Sequence, residues 1–190
     1  MHHVDYTIPP NTMAHTRIVP LMVTGSLTFA VMAPGAAAFS FPQPQGYVTD
    51  AAGVLTAQQE RMLERQLKGN EKRTEDEVAV LLVRTTDGGN VVKAAQDVGN
   101  AWGVGKKTEN NGVVIFLSVN EGAVAMFPGP GLEPFLPKDT LQNILERQMI
   151  PRLKRGMFFQ GLRKGIRALE KQIADARGRA AEGGSEEGSG

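Results

Sequence analysis

Two apolar runs, Val78–Val83 and Val113–Leu117, interrupt the mixed central part of the chain, and neither alternates with polar residues. Runs of this length bounded by turn residues predict strands covered on both faces. Between them Asn90 can cap a helix over Val91–Ala101, with Val91, Ala94, Ala95, Val98 and Ala101 at helical spacing. Strand, helix and strand in that order predict a right-handed crossover and parallel pairing of the two runs. Gly99 weakens this helix, so close packing is its expected reason.

Other elements follow from the same patterning. Thr56 and Gln59 form a capping box ahead of a helix from Ala57 to about Lys72 that buries Met62, Leu63 and Leu67. Ser118 to Gly122 reads as a reversal and Ala123 to Phe127 as a short partner strand. Two prolines and two glycines exclude helix and regular strand over Pro128–Glu133. A helix starts at Lys138 and carries Leu141, Ile144, Leu145 and Met149, and Pro151 should end or kink it. The last helix runs from Met157 to Ala176, with Phe158, Leu162, Ile166, Leu169 and Ile173 on one side. These elements predict an α/β fold, a three-layer αβα sandwich around a small mixed, mainly parallel sheet.

The chain ends read differently. Residues 1–38 have the three-part form of a secretory signal peptide: Arg17, an apolar stretch from Ile18 to Ala33, and small residues Ala36-Ala37-Ala38 before the expected mature terminus Phe39. Met13 is a second candidate start, which would make the residues before it an upstream extension. Residues 39–46 form a proline-rich extended arm, residues 47–176 the folded domain, and residues 177–190 a disordered tail rich in glycine and glutamate. No other apolar segment is long enough to span a bilayer, so the mature chain is expected to lack a transmembrane segment.

Composition narrows the chemistry. Cysteine is absent, and all three histidines, His2, His3 and His15, precede the apolar stretch. A mature chain beginning at Phe39 has neither a thiolate nor an imidazole, which excludes a Ser-His-Asp triad and a zinc site. Oxygen donors remain, and these suit Ca²⁺ or Mg²⁺. A net charge of +1 and few aromatics argue against nucleic-acid binding.

Candidate site residues lie in polar loops flanking the second strand. Glu109-Asn110-Asn111-Gly112 brings one carboxylate and two amides, and Asn-Gly also serves as a turn. Gly129-Pro130-Gly131 lacks the Gly-Lys-Ser/Thr end of a phosphate-binding loop and reads as a rigid wall. Glu133 either faces the site or approaches a helix N-terminus. Asp50 has two readings, a ligand or a carboxylate that accepts loop amides ahead of the first helix.

Val48-Thr49-Asp50-Ala51-Ala52-Gly53-Val54-Leu55, the strand from Glu77, Trp102-Gly103-Val104-Gly105, Asn111-Gly112 and Gly129-Pro130-Gly131-Leu132-Glu133 occur in an order that resembles the TPM domain family. That family includes thylakoid-lumen proteins of photosystem II repair and bacterial envelope proteins. The resemblance covers Gly46 to Ile173. It implies an αβα sandwich, an acidic loop cluster for a divalent cation and, for some members, acid phosphatase activity. By that resemblance Asp50, Glu109, Asn111 and Asp139 would be the metal ligands, with Asn110, Gly112, Gly129, Gly131 and Glu133 around them. Asn110 stands where the family has aspartate, Pro130 where it has tyrosine and Ala125 where it has arginine. The acidic position after Leu136-Pro137 falls on Lys138 or Asp139. Ca²⁺ or Mg²⁺ is therefore expected to bind weakly.

Two functions follow as expectations. The first is an exported accessory or binding module of the periplasm, thylakoid lumen or extracellular space, acting on an envelope protein partner. The alternative is a metal-dependent acid phosphatase acting on phosphomonoesters, with Asp50, Glu109 and Asp139 as its ligands. Arg147, Arg152, Lys154, Arg155, Arg163, Lys164, Arg167 and Lys171 make the last helices basic, so they also offer a face for docking on an anionic surface.

Overall fold

The protein is described by a computed structural model over residues 4–7 and 40–183. Among the described residues, five strands and five α-helices follow in chain order: β1 (Val4–Thr7), β2 (Val48–Asp50), α1 (Ala57–Thr74), β3 (Glu77–Val83), α2 (Val91–Trp102), β4 (Gly112–Ser118), β5 (Ala123–Pro128), α3 (Lys138–Ile144), α4 (Ile150–Leu153) and α5 (Phe158–Gly183). A 3₁₀ turn (Glu133–Phe135) precedes α3, and a π turn (Leu145–Met149) joins α3 to α4.

The strands lie in the order β1-β5-β4-β3-β2. The expected parallel pairing holds, with Val78 opposite Val113 and Leu82 opposite Leu117. β2 adds a short parallel edge, and β5 pairs antiparallel with β4. Sequence patterning passed over two strands. β2 has three residues, too few to show a period, and β1 comes from an N-terminal stretch without a legible pattern. β1 pairs antiparallel with the outer edge of β5, with Val4 opposite Met126 and Thr7 opposite Ala123.

Strand alternation sorts the core into two layers. Val78, Val80, Leu82, Val113, Ile115, Leu117, Val124 and Met126 face α1, the α3–α4 segment and α5. Leu81, Val83, Val114, Phe116, Ala123 and Ala125 face α2. Leu81, Leu82, Ile115 and Phe116 are fully buried, as continuous apolar runs require. Burying each such side chain contributes about 1.5–3 kcal/mol. This is the αβα sandwich.

The helix ends follow local chemistry. Thr56 accepts from the Gln59 amide while Gln59 accepts from the Thr56 amide, completing the capping box. Asn90 accepts from Val92 and Lys93 at the start of α2. A Cβ on Gly99 would lie 3.2 Å from Val114, which is the close approach its presence suggests. Pro151 does not end its helix. The π turn before it carries an i−5 bond from Ile150 to Leu145, and the wider turn relieves the clash a proline ring makes with the preceding turn.

The arm packs onto the α2 side, where the Trp102 indole donates to the Pro42 carbonyl at 3.1 Å. α5 extends beyond the boundary read from the sequence, so residues 177–183 are helical and not part of a disordered tail. The remainder of the expected tail, and the leader with its Ala36-Ala37-Ala38 site, lie outside the described residues. No described helix is long and apolar enough to cross a membrane.

Candidate functional site

The loop before β4 and the loop after β5 meet because β4 and β5 run antiparallel, which brings Pro128 opposite Val113. Gly129 donates to the Gly112 carbonyl at 2.8 Å, and Gly131 donates to the Asn110 carbonyl at 3.2 Å. A Cβ on Gly131 would stand 1.8 Å from the Glu109 carbonyl oxygen, and one on Gly129 would stand 2.3 Å from that of Asn110. Only glycine permits main chains this close. Asn110 has φ +49°, a left-handed conformation that asparagine tolerates better than most residues.

Beside this junction lies a recess of about 90 Å³, lined chiefly by Asn100, Val104, Asn110, Val114, Phe127 and Pro130. No charged side chain lines it. Two amide side chains supply its polarity, and apolar groups make the rest of the wall.

The four expected ligands do not come together. Asp50 ends β2 opposite Leu82, toward the C-terminal end of β3, whereas Gly112 lies opposite Glu77 at the other end. Asp50 Oδ1 accepts from the amides of Ala52 and Gly53 at 3.1 and 2.9 Å, and Oδ2 from Leu55 at 2.7 Å. Of its two readings, the loop-amide one describes this geometry. Asn111 is buried, and both polar atoms of its amide are hydrogen-bonded. Its Oδ1 accepts from the Lys106 amide at 2.9 Å, and its Nδ2 donates to the Glu75 carbonyl at 2.7 Å. Glu109 is exposed and accepts from Thr108 Oγ1. Asp139 lies in the exposed first turn of α3. Glu133 opens the 3₁₀ turn, half-buried.

Among the described residues no three carboxylate or imidazole side chains are grouped to hold a metal ion. The Asp50 carboxylate and the Asn111 amide oxygen accept instead from main-chain groups.

Sequence reasoning missed the most heavily bonded carboxylate of the fold. Glu121, in the β4–β5 reversal, accepts from the Thr85 hydroxyl at 2.6 Å, the Thr86 amide at 3.0 Å and the Ser118 hydroxyl. Desolvation pushes its pKa upward, but the hydrogen bonds from Ser118, Thr85 and Thr86 outweigh it and hold the group at about 2, against an ordinary 4.5. An acid inside a predicted reversal was the available signal, but two of its partners, Thr85 and Thr86, come from the loop after β3. Asp76 was missed as well. Fully buried, it receives both Arg177 guanidinium nitrogens at 2.6 and 2.7 Å.

Comparison with known proteins agrees with this architecture. The TPM domain matches residues 48–172. The solution structure of the N-terminal domain of a protein from P. gingivalis is similar at 28% identity with a TM-score of 0.63, covering 68% of this chain and 83% of that one. A protein from the psychrophilic bacterium Bizionia argentinensis is similar at 27% identity and a TM-score of 0.54, covering 64% of this chain and 83% of that one. The N-terminal domain of a Corynebacterium glutamicum protein shares the fold at 14% identity and a TM-score of 0.52, with 72% and 83% covered. No curated protein matches the chain. With the match spanning most of the folded part and the sandwich topology in place, this chain belongs to the TPM domain family.

Proposed function

We propose that this chain is an exported TPM domain acting as a binding module on an envelope protein partner, without hydrolytic chemistry of its own. One observation carries the reading. Where the family resemblance implies an acidic cluster, the junction of the loops before β4 and after β5 encloses a small recess lined without charge. Apolar walls with two amides suit a neutral group of a partner, and they offer no general base or nucleophile. The leader-like N-terminus supports export.

The test is a pair of titrations on the mature chain. Ca²⁺ and Mg²⁺ should give no calorimetric response tighter than the millimolar range, and p-nitrophenyl phosphate should not be hydrolysed with either ion present. Asn110→Asp, which puts a second carboxylate beside Glu109, should tighten Ca²⁺ binding relative to wild type. Hydrolysis that depends on Mg²⁺ and falls in Glu109→Gln would establish the phosphatase alternative instead.

A further inference from the structure

A second cleft, of about 280 Å³, lies between α1 and α5 on the opposite layer from α2. Met62 and Leu63 supply apolar lining, and Phe159 presents its ring beneath Arg163, whose guanidinium carbon lies 5.9 Å from the ring centre. Arg65, Arg163 and Arg167 bring three guanidinium groups to the cleft, and Glu170 is its single carboxylate. None of these arginines forms an ion pair among the described residues. Glu170 Oε2 accepts from Gln66 at 3.3 Å, while Oε1 is buried without any hydrogen-bond partner. Buried polar atoms in native proteins are almost always satisfied, so an orphan at a cleft wall points to a missing donor.

We propose that this cleft binds an acidic peptide segment of a partner protein, one that places carboxylates beside an aromatic or aliphatic side chain. The inference rests on the reading of the domain as a binding module and assigns that module a peptide contact away from the loop junction. Unpaired guanidinium groups match carboxylates in fork geometry, and their weak hydration makes them the cations of choice at interfaces. The apolar lining and the Phe159 ring take the neighbouring side chain. The orphaned Oε1 favours a peptide among anionic partners. A peptide carries main-chain N–H donors next to its carboxylates, so it brings the donor that Oε1 lacks together with the anions that the guanidinium groups match.

The experiment is calorimetry of the full chain with the blocked peptide acetyl-Asp-Phe-Glu-Leu-amide at low salt and again at physiological ionic strength. One-to-one binding is expected, weakening with salt. The Arg163→Ala/Arg167→Ala double variant should lose at least tenfold in affinity, and Arg163→Lys should lose less because charge remains without the fork. Both variants alter side chains outside the core, and an unchanged circular-dichroism melt verifies folding. Lys93→Ala, which removes an exposed cation from α2 in the opposite layer, should bind the peptide as wild type does. Peptide binding that is absent, or equal in the double variant, overturns the proposal. Binding to phosphatidylglycerol vesicles with none to the peptide also overturns it. The cation and phosphate titrations report on the loop junction separately, so a failure here and a failure of the recess there are distinguishable.

Discussion

Asp50 spends both carboxylate oxygens on the amides of Ala52, Gly53 and Leu55, so its removal strands donors in the turn that leads into α1. We expect Asp50→Ala to cost about 2 kcal/mol in urea unfolding, the range for leaving part-buried amides unsatisfied. The same change should leave any response to Ca²⁺ unaltered, since Asp50 stands at the other end of the sheet from Glu109. Glu121 makes a pH prediction. Its folded pKa of about 2 lies below its ordinary 4.5, so its contribution is complete above pH 4.5 and is lost as pH falls from there toward 2. Unfolding followed over that window should show a loss of stability that Glu121→Gln lacks. Residue identity alone revealed little of this. An aspartate before a helix reads equally well as a ligand or as a turn acceptor, and the sheet end on which it falls depends on β2, which is too short to be read from its pattern. The glycines of the β5 loop were legible as a break in regular structure. Their true constraint, the carbonyls of Glu109 and Asn110, depends on which loop packs against them.

At the scale of elements, the strongest signals were those that local chemistry completes by itself. The capping box of α1, the Asn90 cap of α2 and the apolar runs of β3 and β4 all needed only neighbouring residues, and all are present. The α3–α4 segment shows where such reasoning stops. A proline in a helical pattern announces a break, but burial of Leu145, Met149, Ile150 and Leu153 favours continuity, and the π turn reconciles the two. Close packing of this segment on α5 depends on Gly161 and Gly165. A Cβ on Gly165 would lie 2.4 Å from the buried Met149 sulfur, and one on Gly161 would lie 2.9 Å from Leu153. We expect Gly165→Val to destabilise the fold by about 2 kcal/mol, overpacking outweighing the helix propensity gained. A melting temperature unchanged or raised by this substitution would show that the segment yields more easily than its burial implies.

For the whole molecule, the ion pair of Asp76 with Arg177 joins the end of the longest helix to the turn between α1 and β3, and Arg177 also lies 5.3 Å from the centre of the Phe135 ring. The glycine-rich composition around Gly178 concealed this residue's place in the fold, because a helix held by one long-range pair has no local signature. Arg177→Ala leaves Asp76 buried without its partner, and we expect a cost of about 3 kcal/mol in equilibrium unfolding. A chain ended at Ala176, the boundary composition suggests, should be destabilised to a similar degree. β1 has a different consequence. It lies on the leader side of the expected cut before Phe39, so the protease that releases the chain would also take a strand from the sheet. Precursor and product would then be two different surfaces, one sealed along β5 and one with a bare row of main-chain donors and acceptors. Amide exchange reads the difference directly: the β5 amides that point toward β1 should be slow in an uncut chain and fast in one beginning at Phe39. Equal rates would mean that β1 contributes no protection. In the released protein the margin of β5 would be open to pairing only after export, so the compartment that receives the chain would decide what meets that edge first.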